Sequence, residues 1–102
     1  MAVANIFKAL GDPVRLEIVA RLSDGSTYTI GRLSEDLGVS RQGARKQIQA
    51  LVTADVIELH PAGRETHVSL NAASLQEARR FITQLEKQWD QRLLALKQLV
   101  EE

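Results

Sequence analysis

Apolar residues recur at steps of three and four along most of this 102-residue chain, and between Val56 and Leu70 that spacing gives way to alternation. The two periods predict a mainly α fold with a small β-hairpin. A third observation concerns the last segment. From about Ser74 to Val100, the residues Leu75, Ala78, Ile82, Leu85, Trp89, Leu93, Leu96 and Val100 form an apolar stripe uninterrupted by glycine or proline. That segment reads as a single helix of roughly 40 Å, longer than one small protomer can cover by itself. A second copy of the chain is the natural cover.

Composition narrows the class. With 44% hydrophobic and 25% charged residues, the chain reads as one folded domain over residues 1–102. No apolar run approaches a membrane span and no signal-peptide pattern opens the sequence, so a cytoplasmic location is expected. There is no cysteine, which excludes disulfides, thiolate metal ligands and a cysteine nucleophile. No glycine-rich phosphate loop is present, and the two histidines lack the further ligands or clustered nucleophile that a metal site or enzyme needs. Neither catalysis nor a cofactor is expected.

In order along the chain, Val3, Ile6, Phe7 and Leu10 stripe a short first helix that Gly11 should stop. Asp12 and Pro13 then suit the N-cap and first position of a second helix, with Val14, Ile18 and Leu22 on its inner face and Leu16 and Val19 widening it. Asp24 and Gly25 signal its end. Between Thr29 and Leu51 two short amphipathic helices follow, a helix-turn-helix at about 29–52. The first is capped by Thr29 and runs to Asp36, with Ile30, Leu33 and Leu37 inward. Gly38 supplies the turn, Val39 packs inward and Ser40 caps the second helix.

The second helix buries Ala44, Ile48 and Leu51. Its opposite face carries Gln42, Arg45, Lys46 and Gln49, with Arg41 at the edge in the first turn. Such a face by itself is ordinary for a solvated helix, but after a helix and a glycine turn it points to a DNA groove. Arginine and glutamine can each make paired hydrogen bonds to purine edges, and lysine neutralises phosphates. Thirteen basic and thirteen acidic residues cancel overall. The stretch from Ser40 to Val52 nevertheless holds three basic residues and no acid, leaving 10 basic against 13 acidic elsewhere. The local field decides which face meets phosphates.

In the alternating stretch, at about 56–70, Ile57, Leu59, Val68 and Leu70 face inward and Glu58, His60, His67 and Ser69 outward, with Pro61, Ala62, Gly63 and Arg64 as the turn. A tip at Ala62 and Gly63 would set Glu58 opposite His67 and His60 opposite Glu65. Arg64 then sits near the tip, able to touch a DNA backbone or minor groove.

These elements, in this order, resemble the ArsR/SmtB-like winged helix-turn-helix transcriptional regulators. The likeness is carried by Phe7-Lys8-Ala9-Leu10-Gly11-Asp12-Pro13-Val14-Arg15, Leu37-Gly38-Val39-Ser40 and Gly63-Arg64, and it covers nearly the whole chain. It implies a homodimer joined through the first and last helices, recognition helices in successive major grooves of double-stranded DNA, and repression. The expected DNA-binding residues are Ser40, Arg41, Gln42, Arg45, Lys46, Gln49 and Arg64. The expected interface is Val3, Ile6, Phe7, Leu10, Leu85, Trp89, Leu93 and Leu96, with about 74–100 as the dimerisation helix.

The chain departs from that pattern in several places. The cysteine-containing metal box of well-known members is replaced by Ile30-Gly31-Arg32-Leu33-Ser34-Glu35-Asp36-Leu37, and the last helix has no histidine, so metal sensing at those sites is not expected. No motif names another effector. Arg45-Lys46-Gln47 stands where a Ser-Lys-His run is frequent, and Ala54-Asp55 where Ala-Gly is common, which places Asp55 in a turn that favours glycine. The alternative reading is a winged-helix protein–protein interaction module that binds no specific DNA.

Overall fold

The structure is a computed structural model that describes residues 2–101. The elements are α1 (Ala2–Leu10), α2 (Pro13–Arg21), a 3-10 turn (Leu22–Asp24), β1 (Tyr28–Thr29), α3 (Ile30–Leu33), α4 (Arg41–Thr53), β2 (Ile57–Ala62), β3 (Glu65–Leu70) and α5 (Ala72–Glu101). Ile6, Ile18, Leu22, Leu33, Ile48, Leu51, Val56, Ile57 and Val68 form one core in which every helix but α5 is anchored by a large side chain, and α5 contributes Ala78.

Side-chain caps start the helices. The Asp12 carboxylate accepts the backbone N–H groups of Val14 (2.9 Å) and Arg15 (3.1 Å), with Pro13 in the first turn of α2. Thr29 accepts the N–H of Arg32 at 3.1 Å and Ser40 that of Gly43 at 3.0 Å. The cap of α5 is Asn71, whose side-chain oxygen accepts from Ala73 and Ser74. The helix therefore begins ahead of Ser74.

The helix ends are closed by other means. Gly11 ends α1 without a left-handed φ. Instead, the Arg15 guanidinium donates to the carbonyls of Ala9 (2.6 Å) and Lys8 (3.4 Å) and reaches Gln47 Oε1 on α4 at 2.7 Å. Arg21 does the same for α3, donating to the carbonyls of Leu33, Glu35 and Asp36 while pairing with Glu17 at 3.3 Å. The expected run of α3 to Asp36 is thus too long. It stops at Leu33 because Asp36 (φ 55°) and Gly38 (φ 73°) both adopt the left-handed conformation.

Two apolar residues lie outside the core that was expected to hold them. Leu16 is 53% exposed, two residues or about 200° around α2 from both Val14 and Ile18. Val39 is 40% exposed and lies over the first turn of α4, where its side chain faces the Gly43 Cα.

After α4 the chain makes a Schellman turn. Asp55 N–H donates to the Val52 carbonyl and Val56 N–H to the Leu51 carbonyl, each at 3.0 Å, with Asp55 at φ 59°. Asp55 thus sits in the left-handed turn position expected of it. The Ser74 hydroxyl donates to the Asp55 carbonyl at 2.6 Å, tying this turn to α5.

The sheet is antiparallel with order β1-β3-β2. Its third strand, β1, is two residues long, too short for alternation to register. Tyr28 pairs with Val68, and its hydroxyl donates to Asp24 at 3.1 Å. The Ser26 N–H, donated to Asp24 at 2.9 Å, holds that carboxyl below its ordinary range, and the bond to Asp24 raises the Tyr28 phenol. The hairpin register differs from the expected one. Ala62 pairs with Glu65 and His60 with His67, so the tip is Gly63-Arg64. Gly63 (φ 64°) occupies the first central position, where a type II′ turn requires a positive φ. Because the slip is by two residues, the inward and outward sets survive. Beyond Ile57, however, β2 lifts off the core, and Leu59 is exposed.

Helix α5 is 30 residues long, about 45 Å. Its first turns bury Ser74 and Ala78, and every described residue from Arg79 onward is exposed. The Phe7 ring meets Phe81 in a tilted contact at 5.7 Å. The radius of gyration is 18.0 Å, against about 13 Å for a compact domain of this length. Among the described residues, no helix is long and apolar enough to cross a membrane.

Two substitutions test this account. Asp55→Gly relieves the left-handed strain at the cost of unfolded-state entropy, so urea denaturation should show a change within about 1 kcal/mol, neutral or stabilising. Arg21→Met strips the guanidinium from the carbonyls after α3 and should destabilise by about 1 to 3 kcal/mol in the same assay.

Candidate nucleic-acid interface

Ser40 opens α4 in an extended conformation, and its hydroxyl leans over the first turn. A Cβ on Gly43 would lie 3.1 Å from that oxygen, so glycine at this third position lets the cap sit close. The spacing of Ser40 from a following acid or amide is the usual capping signal. A glycine there carried none, and the reading of the sequence passed over it.

From that cap the helix presents its two faces as expected. Ala44, Ile48 and Leu51 are buried, whereas Arg41, Gln42, Arg45, Lys46 and Gln49 are exposed. Among the described residues, the ion pairs join Arg21 to Glu17, His60 to Glu58 and His67 to Glu65. None of the α4 cations has a carboxylate within that range, and neither does Arg64 on the hairpin tip. Their charge is available to an external anion.

The exposed face divides into two flanks. On one, Arg45 joins Arg64, Thr29, Ile30, Gly31, Glu65 and Thr66 around a cavity of about 300 Å³ between the helix-turn-helix and the hairpin. On the other, Lys46 and Gln49 line a cleft of about 550 Å³ against α1, together with Asn5, Lys8, Ala9, Arg15, Ala50, Thr53 and Ala54. Arg41 and Gln42 lie in the first turn, beside neither. The structure thus brings Arg45 beside Arg64 and Lys46 beside the end of α1, with Gln49, four residues after Arg45, next to both cations on the helix face. It also adds Lys8 and Arg15, which no spacing in the sequence connects to α4.

The residues expected at a partner interface differ in their exposure. Val3 and Ile6 are buried within the protomer, where α1 packs against α2 and α5. Phe7 and Leu10 are half-buried. On α5, Leu85, Trp89, Leu93 and Leu96 are exposed, Trp89 by 63%, and Ile82, Leu94, Leu99 and Val100 are exposed with them.

The described residues hold no group of three or more His, Asp or Glu placed to bind a metal ion. His60 and His67 face each other across the hairpin, and His60 Nε2 lies 2.7 Å from Ser69 Oγ.

Comparison with known proteins gives a consistent result. Residues 10–60 match a helix-turn-helix domain family. The chain is 34% identical over 74 residues to the transcriptional repressor SdpR of Bacillus subtilis, spanning 72% of this chain and 81% of that one. An ArsR-like transcriptional regulator from Rhodococcus sp. RHA1 superposes with a TM-score of 0.81 at 33% identity, covering 96% of this chain and 92% of its own. A homodimeric winged helix-turn-helix DNA-binding domain from Mycobacterium bovis shares the fold, with a TM-score of 0.65 at 21% identity over 90% of this chain and 82% of that one.

Proposed function

The chain belongs to the ArsR-like family of winged helix-turn-helix transcriptional regulators, and on that premise we propose that it is a homodimeric repressor of the α4-in-groove type. The observation that carries this reading is the α4 face itself: an amide and cation surface without ion pairs, capped by Ser40 and flanked by Arg64. A face of this kind gains most from a polyanion, because no internal ion pair has to be broken when it binds. The repressor function of SdpR supports the direction of control. No catalytic chemistry is assigned to the chain, and double-stranded DNA and a second copy are its proposed partners.

The side chains divide the work. We assign Arg45 and Gln42 to base edges, Arg41, Lys46 and Gln49 mainly to phosphates, and Arg64 to the backbone or minor groove. Ser40 holds the helix end that meets the backbone. The exposed stripe of α5, with Phe7 and Leu10, supplies the dimer contact. A solvated Trp89 in a row with Leu85, Leu93 and Leu96 is otherwise a large apolar surface left in water.

Selection of DNA fragments bound by the purified protein tests the whole reading. An enriched site, shifted in a gel at low salt, is expected, and failure to enrich any site favours a protein-binding module instead. On that site, Arg45→Ala and Gln42→Ala should each cost about 1 to 3 kcal/mol and relax preference at one position. Lys46→Ala should weaken cognate and scrambled duplexes alike and lower the salt slope by about one unit. Equal losses on both duplexes for Arg45 and Gln42 would remove them from base readout.

The dimer has its own test. Trp89→Ala should leave the protomer folded by circular dichroism but weaken self-association by about 3 to 5 kcal/mol per buried ring, read by sedimentation equilibrium. A folded monomer of the unmutated chain at micromolar concentration would contradict the assembly.

A further inference from the structure

The cleft of about 550 Å³ between α1 and α4 has features that reading a DNA sequence does not require. Lys8 of α1, Arg15 of α2 and Lys46 of α4 all line it, and no acidic residue does. Among the described residues none of the three forms an ion pair. Arg15 is held rigidly on neutral acceptors only, the carbonyls of Lys8 and Ala9 and Gln47 Oε1, so its charge is positioned but not cancelled. Three bonds leave part of its five-donor fork open. Between these cations Ala9, Ala50 and Ala54 form a small apolar floor, and Asn5, Gln49 and Thr53 complete the lining with neutral hydrogen-bonding groups.

We propose that this cleft binds a small organic anion, a carboxylate on a compact apolar body, with Lys8, Arg15 and Lys46 around the carboxylate and the three alanines against the body. The volume lies within the range of small-molecule sites, about 300 to 1,000 Å³, where a few convergent polar groups around an apolar patch orient the ligand. A DNA phosphate needs no apolar floor. The cleft side of α1, Lys8 and Ala9, is opposite the side that carries Phe7 and Leu10, as three residues at 100° per step require. A partner docked on Phe7 leaves the cleft open.

The ligand also regulates. Resting here on the DNA-binding reading above, an anion that engages Lys46 withdraws a phosphate contact and places negative charge beside α4, so it antagonises DNA.

The first arm of the test contains no DNA. The full-length protein, labelled with ¹⁵N, is titrated with 1-naphthoate and with the neutral 1-naphthalenemethanol. Naphthoate should shift the amides of Ala9, Ala50 and Ala54 saturably, the alcohol should bind about tenfold more weakly, and Lys8→Gln should cost naphthoate about the same factor. Equal binding of the alcohol, shifts confined to α5, or no saturation would overturn the site.

In the second arm, naphthoate that saturates the native cleft should lower affinity for the selected duplex by about tenfold in the native protein, and Lys8→Gln should need about tenfold more naphthoate for the same effect. Undiminished duplex binding with the cleft filled would overturn the regulatory half. A Lys8→Gln variant that, without naphthoate, binds every duplex more weakly with a flatter salt slope would make Lys8 a phosphate contact and overturn the assignment. If no duplex binds at all, the regulator reading fails, and the first arm still decides the cleft.

Discussion

Short helices leave carbonyls open at their C-termini, and two arginines of α2 close them. Arg15, in the first turn of α2, takes the last carbonyls of α1 and extends to Gln47 on α4. Arg21, in its last turn, takes the carbonyls that follow α3. A helix of four residues such as α3 has almost no intrinsic stability, because nucleation fixes several residues for a single hydrogen bond. It persists where Thr29 caps its start, Leu33 anchors it in the core and Arg21 closes its end. The angle between α3 and α4, and with it the presentation of the α4 face, depends on α2 serving as a strut charged at both ends.

Much of this architecture was legible because caps and left-handed turns are local. Asp12, Thr29 and Ser40 each bond within three residues of themselves, and Asp55 adopts φ 59° where a glycine is usual. The buried stripe of α4 followed from periodicity alone. What escaped depends on partners distant in sequence or on runs too short to show a period. β1 has two residues, and its pairing with β3 is set across the fold. The helical period alone sets Leu16 about 200° from Val14 and Ile18, whereas Val39 precedes α4 and no period fixes its side. The hairpin register turned on which two of four turn residues occupy the tip, a choice that Gly63 decides through its φ.

The candidate site shows the same division. Exposed positions on α4 could be read from the helix period, since an amphipathic helix presents whatever its core stripe does not. The grouping of those positions could not. Arg45 and Arg64 share a cavity because β2 and β3 bring the hairpin tip back toward α3, and Lys8 and Lys46 line one cleft because Arg15 bonds both the end of α1 and Gln47 on α4. Zero net charge gave no hint of this. The acids are spread over the other elements, and among the described residues none pairs with α4, so a neutral chain carries one face of a single sign.

The two-residue strand β1 has a consequence for how the molecule assembles. Pairing Tyr28 with Val68 closes a loop of about forty residues, whose entropy cost grows only slowly with length. That loop contains α3, α4, β2 and the hairpin tip, so α4 lies inside a segment closed by one short strand. Because α4 is held separately, by Ile48 and Leu51 in the core and by Arg15 on Gln47, what β1 adds is the placement of the hairpin beside α3. Opening at β1 therefore loosens the hairpin against α3 while α2 still holds α4.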